Sequence, residues 1–267
     1  MIHRESGNGW LTPAIDELPS IPRDRTTALK RFLWASSQGA LVFIAFQIYK
    51  TVRRFGIPDD PAIAFDHAKD VIQFEERLHL FFELDWQAWA LDHGDWYIRS
   101  FNYLYAYYMW WVIGGFSVLA FFAPVRFRYL RRGFFISMLL VTPMYLIYPL
   151  APPRFLADYG WDFVDTMRVY GPNYFSESGL VQANRYAAMP SMHVGWTTYV
   201  AICVSMLMPS VRWRILFVLF MASLITYVVI ITGNHYWLDA LIGWMFIGAA
   251  IAVNRIIPYP LIKRAVS

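Results

Sequence analysis

Long apolar stretches without a charged residue alternate with shorter polar segments along most of this chain. A helix needs about 20 mainly apolar residues to cross the hydrocarbon core of a bilayer. Five of the six charge-free stretches reach or nearly reach that length, and the sixth reaches it if it begins at His235. The pattern predicts an all-α, polytopic membrane protein with a bundle of six transmembrane helices, over residues 32–49, 100–125, 133–153, 186–211, 215–234 and 240–254.

The composition agrees with a membrane domain that fills most of the chain. Of the 267 residues, 58% are hydrophobic and only 16% are charged, whereas soluble proteins carry about 25% charged residues. We divide the chain into a polar N-terminal segment at 1–31, one membrane domain at 32–255 and a tail at 256–267. The first segment lacks the apolar core of a cleavable signal, so we expect the first helix to act as an uncleaved anchor.

Charge is distributed unevenly between the two sides of the predicted bundle. With six helices both termini share one side, whose loops and tails carry 14 basic residues against four acidic ones. The opposite side carries nine basic residues against 14 acidic ones, with Asp239 left out of the count. Basic residues accumulate on the cytoplasmic side of membrane proteins, so we predict cytoplasmic termini. Lys50, Arg53 and Arg54 run against this rule, since they follow the first helix on the outer side. The basic side consists of 1–31, 126–132, 212–214 and 255–267.

Two longer segments are predicted on the outer side. In 55–96, charged residues alternate with apolar ones at helical spacing, which indicates one or two amphipathic helices on the outer membrane surface. We interpret them as a lid packed on the bundle, with direct substrate contact as the alternative. The segment 154–185 contains Gly, Pro, Ser and Asn at short intervals, which is typical of an irregular loop.

Ionisable residues at the ends of the apolar stretches should meet on this outer side. The third helix ends at Arg154, the fourth begins near His193, and the fifth and sixth meet around His235. Ionisable groups at a membrane border are costly to keep there, so they indicate a functional site. An arginine such as Arg154 can bind a phosphate through two hydrogen bonds. Ser191 and His193 lie at the start of a helix, which favours the binding of anions.

The spacing of His235 and Asp239 suggests a catalytic pair. Residues four apart share one face of a helix. A carboxylate there can fix the tautomer of the imidazole and leave its other nitrogen as a nucleophile or base. We place His235 in the first turn of the sixth helix, where free N–H groups and the helix dipole attract anions.

Each of these residues taken alone has a simpler interpretation, as a helix cap or an interface anchor. Another class of protein also remains open, because two histidines in a helical bundle can ligate a haem or serve a transport protein. We disfavour this alternative because both histidines lie at helix ends and His235 already has a carboxylate beside it. The motifs contain no metal-ligand cluster, and we predict neither a metal site nor a cofactor.

The two motifs Pro190-Ser-Met-His193 and His235-x3-Asp239 resemble those of the type 2 phosphatidic acid phosphatase superfamily, which comprises six-helix membrane phosphatases and phosphotransferases. The longer segment Ala-Ala-Met-Pro-Ser-Met-His193-Val-Gly is similar to the branch that contains inositol phosphorylceramide synthase and its bacterial relatives. The upstream segment Tyr-Pro-Leu-Ala-Pro-Pro-Arg154 is similar to the same branch. The resemblance covers roughly residues 60–255.

The resemblance implies a role for each matching residue. His235 would be the nucleophile that forms a phosphohistidine, Asp239 would orient it, and His193 would protonate the leaving oxygen. Ser191 would bind a phosphoryl oxygen. Arg154 matches the arginine of the first family motif, Lys-x6-Arg-Pro.

Three positions depart from the family motifs. Ile147 stands where the first motif has its lysine, Phe155 replaces the proline, and Val229 stands where the third motif has an arginine. Two phosphate-binding cations are therefore missing, and Arg185 and Asn234 are the candidates to replace them.

The sequence thus predicts a metal-independent lipid phosphatase or phosphotransferase of a bacterial plasma membrane, with its site on the extracytoplasmic face. Its partners would be the bilayer and a lipid phosphate or phospholipid, and we expect no nucleic acid partner. The phospho-headgroup, such as phosphoinositol, would pass to a lipid or sugar alcohol. In the alternative, water is the acceptor, and the enzyme is a polyprenyl-phosphate or phosphatidate phosphatase.

Overall fold

The chain folds into α-helices joined by short turns in the part that the computed structural model describes, which is residues 21–22, 24–172 and 184–258. Its helices are α1 (Arg25–Arg53), α2 (Ala62–Arg77), α3 (Glu83–Asp92), α4 (Asp95–Ala106), α5 (Tyr108–Phe122), α6 (Pro124–Ile147), α7 (Thr166–Tyr170), α8 (Met192–Ser205), α9 (Val211–Ile231) and α10 (Trp237–Ile256). Within those ranges β-pairing is limited to a single bridge between Leu150 and Ala187. The prediction of an all-α fold is confirmed for these residues.

Four helices are long and apolar enough to cross a membrane, namely α1 with its following turn, α6, α9 and α10. A fifth span is available if α4 and α5 act together, because they pass the same test as a pair bent by 52°. The structure therefore supports a membrane protein with four or five spanning helices, and the sixth span stays a prediction.

Helix α8 accounts for the difference. It has 14 residues, which corresponds to about 21 Å at 1.5 Å per residue, whereas a hydrocarbon core is about 30 Å thick. The apolar stretch 186–211 is longer, but its first residues form a non-helical segment in which Ala187 bridges to Leu150. Nearly all residues of α8 are buried, and it packs against α5, α9 and α10 at the centre of the bundle.

The prediction that the basic segments 126–132 and 212–214 are loops is wrong, because they lie inside α6 and α9. One of these basic residues, Arg132 of α6, binds the C-terminal end of α10. It donates from Nη2 to the carbonyl oxygens of Asn254 at 2.7 Å and Ile257 at 3.0 Å. These carbonyls belong to the C-terminal end of α10, where a helix leaves acceptors without partners.

The outer segment 55–96 forms α2 and α3, followed by the start of α4. Helix α2 buries one face at helical spacing, and this face packs against Leu150, Ala151 and Tyr236. The segment is therefore helical and packed onto the chain beside Tyr236, while its location on the outer membrane surface stays a prediction. The predicted loop 154–185 contains two 3₁₀ turns and α7, and its residues 173–183 lie outside the described part.

A close approach between α8 and α10 fixes the geometry of the bundle near the two histidine motifs. A side-chain carbon at Gly243 would collide with the backbone oxygen of Ser191, which immediately precedes α8. Only glycine leaves room for the two helices at this distance. The start of α8 is thereby held against the first turns of α10.

Candidate active site

Backbone hydrogen bonds join the three segments that the sequence predicts to converge. The N–H of Arg154 donates to the carbonyl of Gly233 at 2.8 Å, and the N–H of Ser191 donates to the carbonyl of Asp239 at 2.8 Å. Gly233 has a φ of 65°, in the region that favours glycine, which lets the chain turn sharply between α9 and α10. The predicted convergence therefore occurs, and it is built from main-chain contacts.

Asp239, His235 and His193 form a row of side chains at this junction. Nδ1 of His235 lies 3.1 Å from Oδ2 of Asp239, and Nε2 of His235 lies 3.4 Å from Nδ1 of His193. Asp239 is fully buried and His235 is nearly so. A carboxylate accepts the Nδ1 proton of His235, which assigns the lone pair of that ring to Nε2, on the side of His193.

The prediction that His235 lies in the first turn of the last helix is wrong. Helix α10 begins at Trp237, so His235 lies two residues before the helix rather than in its first turn. Tyr236 between them has an extended backbone, with φ −79° and ψ 159°. The contact with Asp239 forms because that carboxylate reaches back over the helix start, where it also accepts from the N–H of Tyr236 at 3.0 Å.

Two tyrosine rings hold His193 in place. The ring of His193 stacks on Tyr105 with centroids 4.1 Å apart and meets Tyr108 at 4.0 Å. Both tyrosines belong to the bent pair α4 and α5, so the break between these helices lies beside the site. The aromatic run of the second apolar stretch thus contributes packing around a histidine.

A cavity of about 600 Å³, including the space at its mouth, opens in front of the two histidines. Four cationic side chains line it, and among the described residues no carboxylate does. The cavity is therefore suited to an anionic group. Its cationic residues are Lys50, Arg53, Arg154 and Arg185.

Arg154 lies in this lining as predicted, and it is nearly fully buried. Its Nη1 donates to Oδ1 of Asn234, and its Nε lies 3.8 Å from Oδ1 of Asp165. Burial lowers the pKa of the Arg154 guanidinium, and the charge of Arg185 adds to this, while Tyr105 and Asp165 oppose it. An arginine keeps its charge under such shifts, because its ordinary pKa is above about 12.

The other predicted phosphate ligands have different surroundings. Asn234 lines the cavity, but its Oδ1 accepts from Arg154 and its Nδ2 donates to Oγ1 of Thr232 at 2.8 Å. It therefore positions Arg154. Arg185 lines the cavity with an exposed side chain. Ser191 immediately precedes α8 without a side-chain cap hydrogen bond. Its buried Oγ has no hydrogen-bond partner among the described residues, and Ser191 does not line the cavity.

Sequence reasoning missed two cationic residues of the lining, Lys50 and Arg53 at the end of α1. The only signal in the sequence was their departure from the positive-inside rule. A bound anion in the cavity would account for these two basic residues at the end of the first helix.

Two carboxylates at the start of α10 were missed as well. Oε1 of Glu83 accepts from the N–H of Trp237 at 2.8 Å, and Oε1 of Glu75 accepts from the N–H of Leu238 at 3.3 Å. Together with Asp239 they occupy the first N–H groups of the helix. The expectation that these groups attract a substrate anion is wrong, because carboxylates of the protein already bind them.

Glu75 should hold a proton at neutral pH. It is fully buried, and this burial, with the charges of Glu83 and Asp239 beside it, raises its pKa to about 10 from an ordinary 4.5. A carboxyl whose pKa is raised on folding stabilises the fold fully below its unfolded value, and that contribution is lost as pH rises towards the folded value. The relevant window therefore runs from about pH 4.5 to about pH 10.

We expect Glu75→Gln to make the protein less sensitive to alkaline pH. Glutamine imitates the protonated carboxyl and has no proton to lose. The melting temperature of the variant relative to that of the wild type should therefore increase as pH rises from 5 to 9. A gain of about 1 kcal/mol appears as roughly 2–4 °C in a protein of this size. The exposed neighbour offers a control, since Glu76→Gln should leave the pH dependence unchanged. An equal difference between wild type and Glu75→Gln at both pH values would show that Glu75 is ionised in the folded protein.

A family model described as the PAP2 superfamily matches residues 69–253. The chain belongs to this superfamily, and its membership indicates a phosphatase-type membrane enzyme. The match includes both histidine motifs, Arg154 and the two buried glutamates, and it leaves α1 outside. No curated protein and no solved structure matches the chain. The resemblance inferred from the motifs is thus confirmed for the superfamily, and the synthase-like branch stays a prediction.

Proposed function

We propose that this protein cleaves a phosphoester of a lipid through a covalent phosphohistidine at His235. The observation that carries the proposal is the buried row of Asp239, His235 and His193, which opens onto a cavity lined by arginines. Such a row contains an oriented nucleophile and a second imidazole placed to move a proton.

The first half of the reaction forms the phosphoenzyme. The Nε2 lone pair of His235 attacks phosphorus, and the bond between phosphorus and the ester oxygen breaks. His193 donates its proton to that oxygen, so the alcohol leaves neutral. Asp239 stabilises the positive charge that develops on His235 during the attack.

The second half returns the enzyme to its starting state. His193, now without its proton, accepts one from the hydroxyl of the acceptor as the acceptor oxygen attacks phosphorus. The bond between phosphorus and Nε2 then breaks, and both imidazoles recover their initial protonation. No metal ion is needed, because Arg154 can balance the charge on the phosphoryl oxygens.

The remaining phosphate ligands are part of the proposal. Arg185 lines the cavity, and Oδ1 of Asn234 accepts a hydrogen bond from Arg154. Ser191 does not line the cavity. Its proposed role as a phosphate ligand rests on its motif alone.

Two acceptors are compatible with this chemistry. Resemblance of the motifs to the inositol phosphorylceramide synthase-like branch supports transfer of a phospho-headgroup, such as phosphoinositol, to a lipid or sugar hydroxyl. Membership of a superfamily of phosphatases supports water as the acceptor. In that second function the substrate would be a polyprenyl phosphate or a phosphatidate.

A panel assay tests the proposed function. Purified protein is incubated in excess EDTA with phospholipids, phosphatidate and polyprenyl phosphates, with and without ceramide and other lipid alcohols. Mass spectrometry should show a dephosphorylated lipid or a lipid with a new headgroup. Activity that disappears with EDTA and returns with magnesium would contradict the metal-free mechanism.

The site is proposed to face the extracytoplasmic side, with both termini in the cytoplasm. The charge distribution supports this orientation. An additional arm of the assay tests it with p-nitrophenyl phosphate, which is charged and does not cross the membrane. Intact cells that produce the protein should hydrolyse this compound as fast as lysed cells, whereas hydrolysis only after lysis would reverse the orientation.

A further inference from the structure

Two positions that carry phosphate-binding cations in the family motifs cannot do so in this chain. Ile147 ends α6 with a largely exposed apolar side chain, and Val229 is fully buried in α9. The described structure nevertheless places more than one cation around the two histidines. Arg53 is the one whose surroundings are most informative.

Arg53 reaches the cavity from the last turn of α1, and its side chain is partly buried. Its Nη2 donates to the carbonyl of Ala187 at 3.2 Å, and its guanidinium lies 4.2 Å from the ring centroid of Tyr145 and 5.3 Å from that of Tyr49. These contacts hold the side chain at the edge of the cavity. Its carbonyl oxygen accepts from Nδ2 of Asn184 at 2.9 Å, which ties the end of α1 to the segment before α8.

The charge of Arg53 is not balanced by a carboxylate in the part of the chain that the structure describes. Its neighbours are neutral rings and a backbone carbonyl, and its Nε has no hydrogen-bond partner among the described residues. Buried or half-buried charges in proteins are normally paired, because desolvation of a lone charge is costly. An anion in the cavity would supply the missing partner.

The positive charges of Arg53 and Arg154 both influence His193. Burial lowers the pKa of His193, the proposed proton donor, and the charges of His235, Arg53 and Arg154 lower it further. A phosphate anion bound in the same cavity would act in the opposite direction and favour the protonated imidazole. Because both histidines and both arginines line one cavity, a phosphoryl group bound to the nucleophile would share that cavity with the two guanidinium groups. Guanidinium groups suit this task, since their planar fork can hold two oxygens of one phosphate.

We propose that Arg53 binds a phosphoryl oxygen of the substrate and replaces a cation that the family motifs lack in this chain. The inference rests on the proposed function and names a ligand of the same site. It also gives α1, which lies outside the matched family region, a direct part in binding the phosphate of a lipid monoester or diester.

Binding of inorganic phosphate to the purified protein tests this inference without a lipid substrate. Isothermal titration should show phosphate binding at least about ten-fold weaker in Arg53→Gln, because hydrogen bonds to a charged group are worth more than neutral ones. Arg54→Gln is a matched control, since it removes the same charge from the adjacent, exposed residue. It should bind phosphate like the wild type, and an Arg53→Gln protein that also does so would overturn the inference.

Arg53→Lys guards against a variant that is merely misfolded. If Arg53→Gln melts below the wild type without phosphate, the lysine variant decides. It keeps the charge and loses the fork, so an intermediate affinity for phosphate supports the inference and an unchanged affinity contradicts it. Phosphate binding that depends on Arg154 but not on Arg53 refutes the inference and leaves the proposed function standing. If the wild type binds no phosphate, both fail.

Discussion

Replacement of His235 by alanine should reduce turnover by at least about a thousand-fold, because it removes the proposed nucleophile of the covalent step. Binding of inorganic phosphate should survive, since the arginines that line the cavity remain in place. The measurement is a comparison of turnover and phosphate affinity for wild type and variant. The two readouts separate loss of chemistry from loss of the site.

A matched control is available for this variant. His93 is exposed and lies outside the cavity, so His93→Ala should keep wild-type turnover. If His235→Ala retained turnover close to that of His93→Ala, the assignment of the nucleophile would be wrong. A fall in melting temperature of His235→Ala would call for His235→Gln, which keeps a polar group beside Asp239.

Replacement of His193 by alanine should have an effect that depends on the leaving group. For a lipid substrate the departing alkoxide needs a proton, and loss of a general acid typically costs about 10²–10⁴-fold in rate. With p-nitrophenyl phosphate the departing oxygen is stable without a proton, so formation of the phosphoenzyme should fall far less. The test is a burst experiment with both substrates.

Equal losses with the two substrates would contradict the role of His193 as proton donor. They would indicate instead that the ring helps to hold the phosphate or to pack the site. The contacts of His193 with the stacked ring of Tyr105 and the tilted ring of Tyr108 would account for such a packing role. His193→Gln, which fills a similar volume and can still donate a hydrogen bond, would then restore much of the activity.

The sequence predicts well which side chains form the row of Asp239, His235 and His193, because they are close along the chain or lie in recognisable motifs. His235 and Asp239 are four residues apart, and a carboxylate next to an apolar helix needs a partner. The geometry of the contact still differs from the expectation, since α10 starts at Trp237 and His235 precedes it. Spacing alone does not reveal where a helix begins.

The parts that sequence reasoning missed are contacts between distant segments. Glu75 and Glu83 reach the start of α10 from α2 and α3, more than 150 residues away, at distances of 3.3 and 2.8 Å. Charge patterns in α2 do not indicate which buried face will meet another helix. Arg53 is a similar case, because its place in the cavity lining depends on where α1 ends relative to α8.

The number of spanning helices shows a third limit of the sequence pattern. Charge-free length predicts six spans, but the stretch 186–211 contains a non-helical segment and only a 14-residue helix. A composition rule counts apolar residues without regard to their backbone conformation. The residues that shorten α8 are the ones that carry Ser191 and the start of the second motif.

Trapping of the covalent intermediate tests the central claim most directly. The protein is mixed with a lipid phosphoester labelled in its phosphoryl group, quenched in alkali within milliseconds to seconds, digested and analysed by mass spectrometry. The proposed mechanism predicts a label that is stable to alkali, labile to acid and located on the peptide that contains His235. A label on any other residue, or full turnover without a trapped intermediate in any substrate, would contradict the mechanism.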